Sequence, residues 1–148
     1  QTWQPTSIRL SSILMLGLQV YIVSKKVVLY FGNELIPEDR LAIEIANELK
    51  RLVKGYEFYH CLSPEELIRF VDYDKIVLLD VSPNIAKVVK TSNLNLIKKR
   101  KLTSLHDFDL NFFLNLLKKL GKTTNIDIIV VPMNSNKNNL VKIVKKFL

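Results

Sequence analysis

Apolar positions along this chain follow two alternating rhythms. Short unbroken runs, KVVLYF at Lys26–Phe31, KIVLL at 75–79 and DIIVV at 127–131, are separated by stretches where apolar residues return every three or four positions. Unbroken β-branched runs predict strands buried on both faces, and the wider spacing predicts amphipathic helices. The first strand stops at Gly32-Asn33. A helix is predicted over 38–53, with Leu41, Ile45, Leu49 and Leu52 on one face and Gly55 as its close. Glu38 and Asp39 fall in its first turn, where the helix dipole favours negative charge. A strand over 56–60 follows. Ser63-Pro64-Glu65-Glu66 then reads as a capping box with proline at the first helical position, opening a short helix to about Phe70.

The run at 75–79 ends on Asp80, and Pro83 breaks the chain before a less buried strand over 86–90. Residues 93–103 alternate apolar and basic without a clear period. A helix over 107–120 sets Leu110, Phe113, Leu117 and Leu120 on one face, with Gly121 as its stop. Pro132 ends the strand at 127–131, and Leu140, Val144 and Phe147 predict a closing amphipathic helix. Strands alternating with helices argue for the α/β class, with a largely parallel sheet covered on both faces.

Composition narrows the functions. The 148 residues are 48% apolar, which suits one domain over 1–148 with a conventional core. The single Cys61 allows no internal disulfide and fits a reducing compartment. The formal charge of +8 comes mostly from lysine, as in Lys98-Lys99-Arg100-Lys101. No aromatic residues interleave with these runs, so a solvated face explains them better than a nucleic-acid platform does. The apolar stretch at 13–23 is interrupted by Gln19 and falls short of the roughly 20 residues that span a bilayer. It predicts a buried strand or a partly ordered tail, with no membrane role. Met15 makes a reasonable natural start, which leaves residues 1–14 as an added or disordered leader.

Candidate chemistry lies at the strand ends, where parallel sheets bind ligands. Asp39 lies past the first strand and Asp80 ends a later one, so topology puts both on one rim. His106 lies in the loop before the 107–120 helix and reaches that rim only if its loop folds back. Two carboxylates and an imidazole make an open site for a divalent transition metal. Each residue alone has a plainer role: Asp39 as a helix-start acid, Asp80 as a strand end, His106 as a loop or capping residue. Asp107 either caps the helix or orients His106. Gly32 and Asn33 suit a sharp turn, and Ser63 a cap. His60-Cys61 lacks the partners of a zinc motif, and Cys61 reads as a small buried hydrophobe. Gly32 has no glycine series around it, which argues against a dinucleotide or phosphate loop.

Three words occur in order: Gly32-Asn33-Glu34-Leu35-Ile36-Pro37-Glu38-Asp39-Arg40, then Val77-Leu78-Leu79-Asp80-Val81, then Ser104-Leu105-His106-Asp107. With the helix, the Gly121 stop and the strand reaching Pro132, they resemble the hydrogenase maturation endopeptidases over residues 26–133. The resemblance implies a three-layer αβα sandwich of the phosphorylase/hydrolase kind around a mostly parallel sheet. It implies a protease, monomeric and cytoplasmic, that trims the C-terminal extension of the nickel-iron hydrogenase large-subunit precursor. The family's catalytic metal-contacting positions fall on Asp39, Asp80 and His106. The metal implied is nickel belonging to the precursor, with another divalent ion able to bind in isolation. Pro37, Arg40 and Ala42 depart from the family's glycine pattern, and Tyr59-His60-Cys61-Leu62 replaces an Asp-Gly-Gly-Thr turn. These departures leave a second reading open, a non-catalytic or chaperone-like relative that recognises a hydrogenase subunit without cutting it.

Overall fold

The unbroken apolar runs become the central strands of one sheet. The computed structural model describes residues 13–16, 19–93, 96, 119, 121 and 125–148. Within them β1 (Ile13–Leu16) and β2 (Gln19–Ile22) pair as a small antiparallel ribbon. β3 (Lys26–Phe31), β4 (Glu57–Cys61), β5 (Lys75–Ser82), β6 (Val89–Thr91) and β7 (Asn125–Pro132) form a five-stranded sheet in the order β4-β3-β5-β7-β6. β3, β4, β5 and β7 run parallel, and the short β6 runs antiparallel beside β7.

Burial alternates with the pleat and divides the core in two. Val28, Val77, Leu79 and Ile129 face α1 (Arg40–Leu52) and α2 (Lys137–Phe147), which bury Ile45, Leu49, Leu140 and Val144 against them. Leu29, Ile76, Leu78 and Ile128 face the other way, onto Leu67 and Phe70 of a 3-10 helix, Pro64–Phe70. Helical layers thus lie on both sides of a mostly parallel sheet. From β3 the chain steps outward to β4, then crosses back to place β5 on the far side of β3. The crevice between β3 and β5 is therefore the topological switch point, where α/β sheets bind ligands.

Several element ends differ from expectation for identifiable reasons. α1 begins at Arg40, because residues 33–39 close turns of their own, with Ile36 N–H on Asn33 O (3.1 Å) and Asp39 N–H on Ile36 O (3.0 Å). Glu38 and Asp39 thus precede the first turn. β5 runs two residues beyond Asp80, since Val81 packs on the α1–α2 side and Ser82 still pairs with Pro132. The strand expected over 86–90 is shorter and later, formed where the chain can pair with β7. The segment after Ser63 is 3-10 rather than α. Residues 1–12 lie outside the described residues. So does 97–118, which holds His106, Asp107 and most of the helix expected over 107–120. Among the described residues no helix is long and apolar enough to cross a membrane.

Candidate functional site at the carboxyl rim

The loop leaving β3 is built tightly from its first residue. Gly32 has φ +150°, a region that L side chains rarely adopt, and a Cβ there would sit 2.4 Å from the carbonyl oxygen of Asp39. That close approach folds the loop back so that its far end, Asp39, lies against its start. Between them Asn33 Oδ1 accepts from Leu35 N–H at 2.9 Å, the side-chain turn that asparagine favours. Arg40 Nε donates to Glu34 O at 3.1 Å and straps the loop from its far side. Asp39 occupies the N-cap position of α1, yet its side chain makes no capping hydrogen bond.

Asp80 reaches the same rim from the middle of the sheet. β3 and β5 stay in register up to Tyr30 opposite Leu79, so Asp80 is the next residue along β5. On its other side it pairs with Val130 of β7. It is only 2% exposed, and it shares its sheet face with Leu78 and Ile76. The structure thus places two of the three expected site residues at the β3–β5 switch point, one on a loop and one within a strand. The third, His106, lies outside the described residues. Among the described residues, no three His, Cys, Asp or Glu side chains are grouped to hold a metal ion. A three-donor site here would take its remaining donor from elsewhere in the chain.

Two open depressions flank the Gly32–Asp39 loop. One of about 460 Å³ is lined by Gly32, Asn33, Glu34, Leu35, His60 and Leu62. The other, about 310 Å³, lies against α1 and the end of β7, with Pro37, Leu41 and Met133 in its wall. Leu35 and Leu62, at 88% and 80% exposed, border the larger one. Burial first, and then the Glu34 charge, push the Tyr30 hydroxyl above its ordinary range.

The sequence presents His60 only as half of an incomplete zinc motif, whereas the structure gives it a different place. Its Nε2 lies 2.8 Å from Gly32 O, and its ring stacks on Tyr30 with centroids 5.1 Å apart and planes 1° from parallel. The available signal was an imidazole at the end of a strand, a place where apolar residues would serve packing better. Cys61 is a buried hydrophobe, as expected. Burial, with help from the Glu66 charge, pushes its thiol up to about 12, so it stays protonated and is no nucleophile at neutral pH.

This arrangement belongs to the α/β proteins built on a mostly parallel sheet with a topological switch point. Within that class, the fold is the one found in hydrogenase maturation proteases. One is the [NiFe] hydrogenase maturation protease HycI from Thermococcus kodakarensis, with a TM-score of 0.56 and 16% identity over 84% of this chain and 92% of that one. Another is the hydrogenase maturating endopeptidase HybD from E. coli, with a TM-score of 0.59 and 14% identity over 82% of this chain and 88% of that one. HybD from T. kodakarensis gives a TM-score of 0.54 and 18% identity over 82% and 98%. No family model and no curated protein sequence matches the chain. At these identities the likeness is one of fold.

Proposed function

We propose that this chain is a hydrogenase maturation protease that recognises nickel in the large-subunit precursor and cleaves its C-terminal extension. The observation that carries the reading is the placement of Asp39 on the loop from β3 to α1 and of Asp80 on the neighbouring β5, beside the switch point of a fold shared with maturation proteases. In this reading Asp39 and Asp80 offer oxygens, and His106 a ring nitrogen, to the nickel of the substrate. An ion held beside the scissile peptide polarises its carbonyl towards attack by water. The carboxylates also make up for the positive charge brought by the precursor's metal. The enzyme acts as a monomer in the cytoplasm, and another divalent ion takes the same three groups when precursor is absent.

The test is cleavage of nickel-loaded precursor by the wild type and by His106→Ala. Loss of processing in the variant supports the site, and equal processing by both discards it. A second reading, binding without cleavage, draws on Pro37 and Arg40, which depart from the family's glycine pattern, Arg40 Nε also tying the loop to Glu34 O. A stable precursor complex that loses no mass on long incubation with wild-type protein would favour it.

A further inference from the structure

We propose that His60 is the positioning residue for Asp39, acting through the backbone of Gly32; this rests on the functional reading above. A carbonyl oxygen only accepts, so the 2.8 Å contact requires the proton on His60 Nε2. The ring's orientation is set by its stacking on Tyr30, the residue directly opposite it in the β3–β4 register. The imidazole therefore clamps the peptide unit that leaves Gly32, one residue past the end of β3. On its Cα side, Gly32 packs against the Asp39 carbonyl so closely that no side chain fits between them. Two short links then join β4 to Asp39: ring to carbonyl, and glycine to the Asp39 backbone. Asp39 makes no side-chain cap bond of its own, so its position depends on the backbone that carries it.

A histidine that merely satisfies itself in the fold would have the same hydrogen bond, and two variants separate these roles. His60→Phe keeps a ring on Tyr30 and loses the donor. His60→Gln loses the ring and keeps an N–H of similar reach. For precursor cleavage, His60→Phe is expected to lower kcat by about 10-fold at unchanged KM, because a small misplacement near the reacting atoms is costly. His60→Gln is expected to restore kcat to within about 2-fold of wild type, since the donor alone does the positioning. Amide exchange at Leu35 and Asp39, whose N–H groups are bonded within the loop, should quicken in His60→Phe and stay slow in His60→Gln. Equal kcat and equal exchange in wild type and both variants would overturn the proposal. So would equal losses in both, which would show that the donor does not do the positioning. If the wild type cleaves nothing, the functional reading fails, and the exchange comparison still decides whether His60 holds the loop.

Discussion

β5 and β7 each carry a buried aspartate, at opposite ends of the sheet and on opposite faces. Asp127, at the amino end, is held by Lys75 at 2.5 Å and Lys90 at 3.4 Å. Its burial is explained by folding alone: two lysines from neighbouring strands meet one carboxylate, and Lys90 also reaches Phe147 O of α2. Asp80 lies towards the carboxyl end of β5, the end of the sheet from which the loop carrying Glu34, Glu38 and Asp39 leaves β3. A lysine-paired carboxylate straps strands together, whereas the carboxyl ends of strands at a switch point are where α/β sheets bind ligands. If this contrast is sound, breaking the carboxyl rim costs activity and breaking the amino end costs stability.

The largest effect expected is on activity. Asp39→Asn and Asp80→Asn keep side-chain shape and remove charge; each should lower precursor cleavage by about 1,000-fold, or about 4 kcal/mol. Processing rates per folded molecule, with folding checked by near-ultraviolet circular dichroism, measure this. Normal cleavage by either variant would erase the distinction between the two ends. Next comes Gly32→Ala, which puts a Cβ against the Asp39 carbonyl in a backbone conformation that alanine avoids. It should cost about 3 kcal/mol in chemical denaturation, combining backbone strain with overpacking. This position belongs to both sides of the comparison, since the same contact shapes the loop and supports the fold.

Asp127→Ala tests the amino end. It leaves Lys75 without its close carboxylate, and Lys75 keeps 20% of its side chain in water. The expected loss is about 2 kcal/mol in urea, below the cost of breaking a fully buried pair. Cleavage by the folded fraction should match wild type, and a fall in activity comparable to that of Asp39→Asn would contradict the assignment of this end to stability.

How much of this was legible beforehand depended on range along the chain. Central strands could be read from KVVLYF, KIVLL and DIIVV because burial on both faces leaves an unbroken apolar run. α1 and α2 could be read because one buried face recurs at helical spacing. The rim position of Asp39 and Asp80 followed from strand order alone. What could not be read were the features set by contacts between distant segments. The approach of Gly32 to Asp39 needs the whole loop in place, and the His60 bond to Gly32 joins residues 28 positions apart. The extension of β5 past Asp80 depends on pairing with β7, about 50 residues on, which no local pattern announces. Cys61 was easier, because a lone cysteine at the end of a strand reads as a small hydrophobe without any partner to explain it.

The smallest effect lies beside the rim, at the start of the 3-10 helix. Glu66 Oε1 accepts from Leu62 N–H at 2.9 Å and from Ser63 N–H at 3.3 Å, closing the capping box that the sequence announced. A hydrogen bond from Tyr59, then that of the Leu62 amide, holds the Glu66 carboxyl below its ordinary range. A lowered folded-state pKa means that the contribution is complete above the unfolded value and fades as pH falls through the folded one. Glu66→Ala should therefore destabilise by about 0.5 kcal/mol at neutral pH, modest because the carboxylate is partly in water. The gap between wild type and variant should close as the solution is taken below about pH 4, where the unfolded carboxyl takes up its proton first and the folded one follows. Urea midpoints of the two proteins at neutral and acid pH measure this. A gap that persisted unchanged in acid would show that Glu66 acts there by packing rather than by charge. Glu66 would then differ from the acids of the rim, with Asp39 and Asp80 acting through charge and Glu66 not.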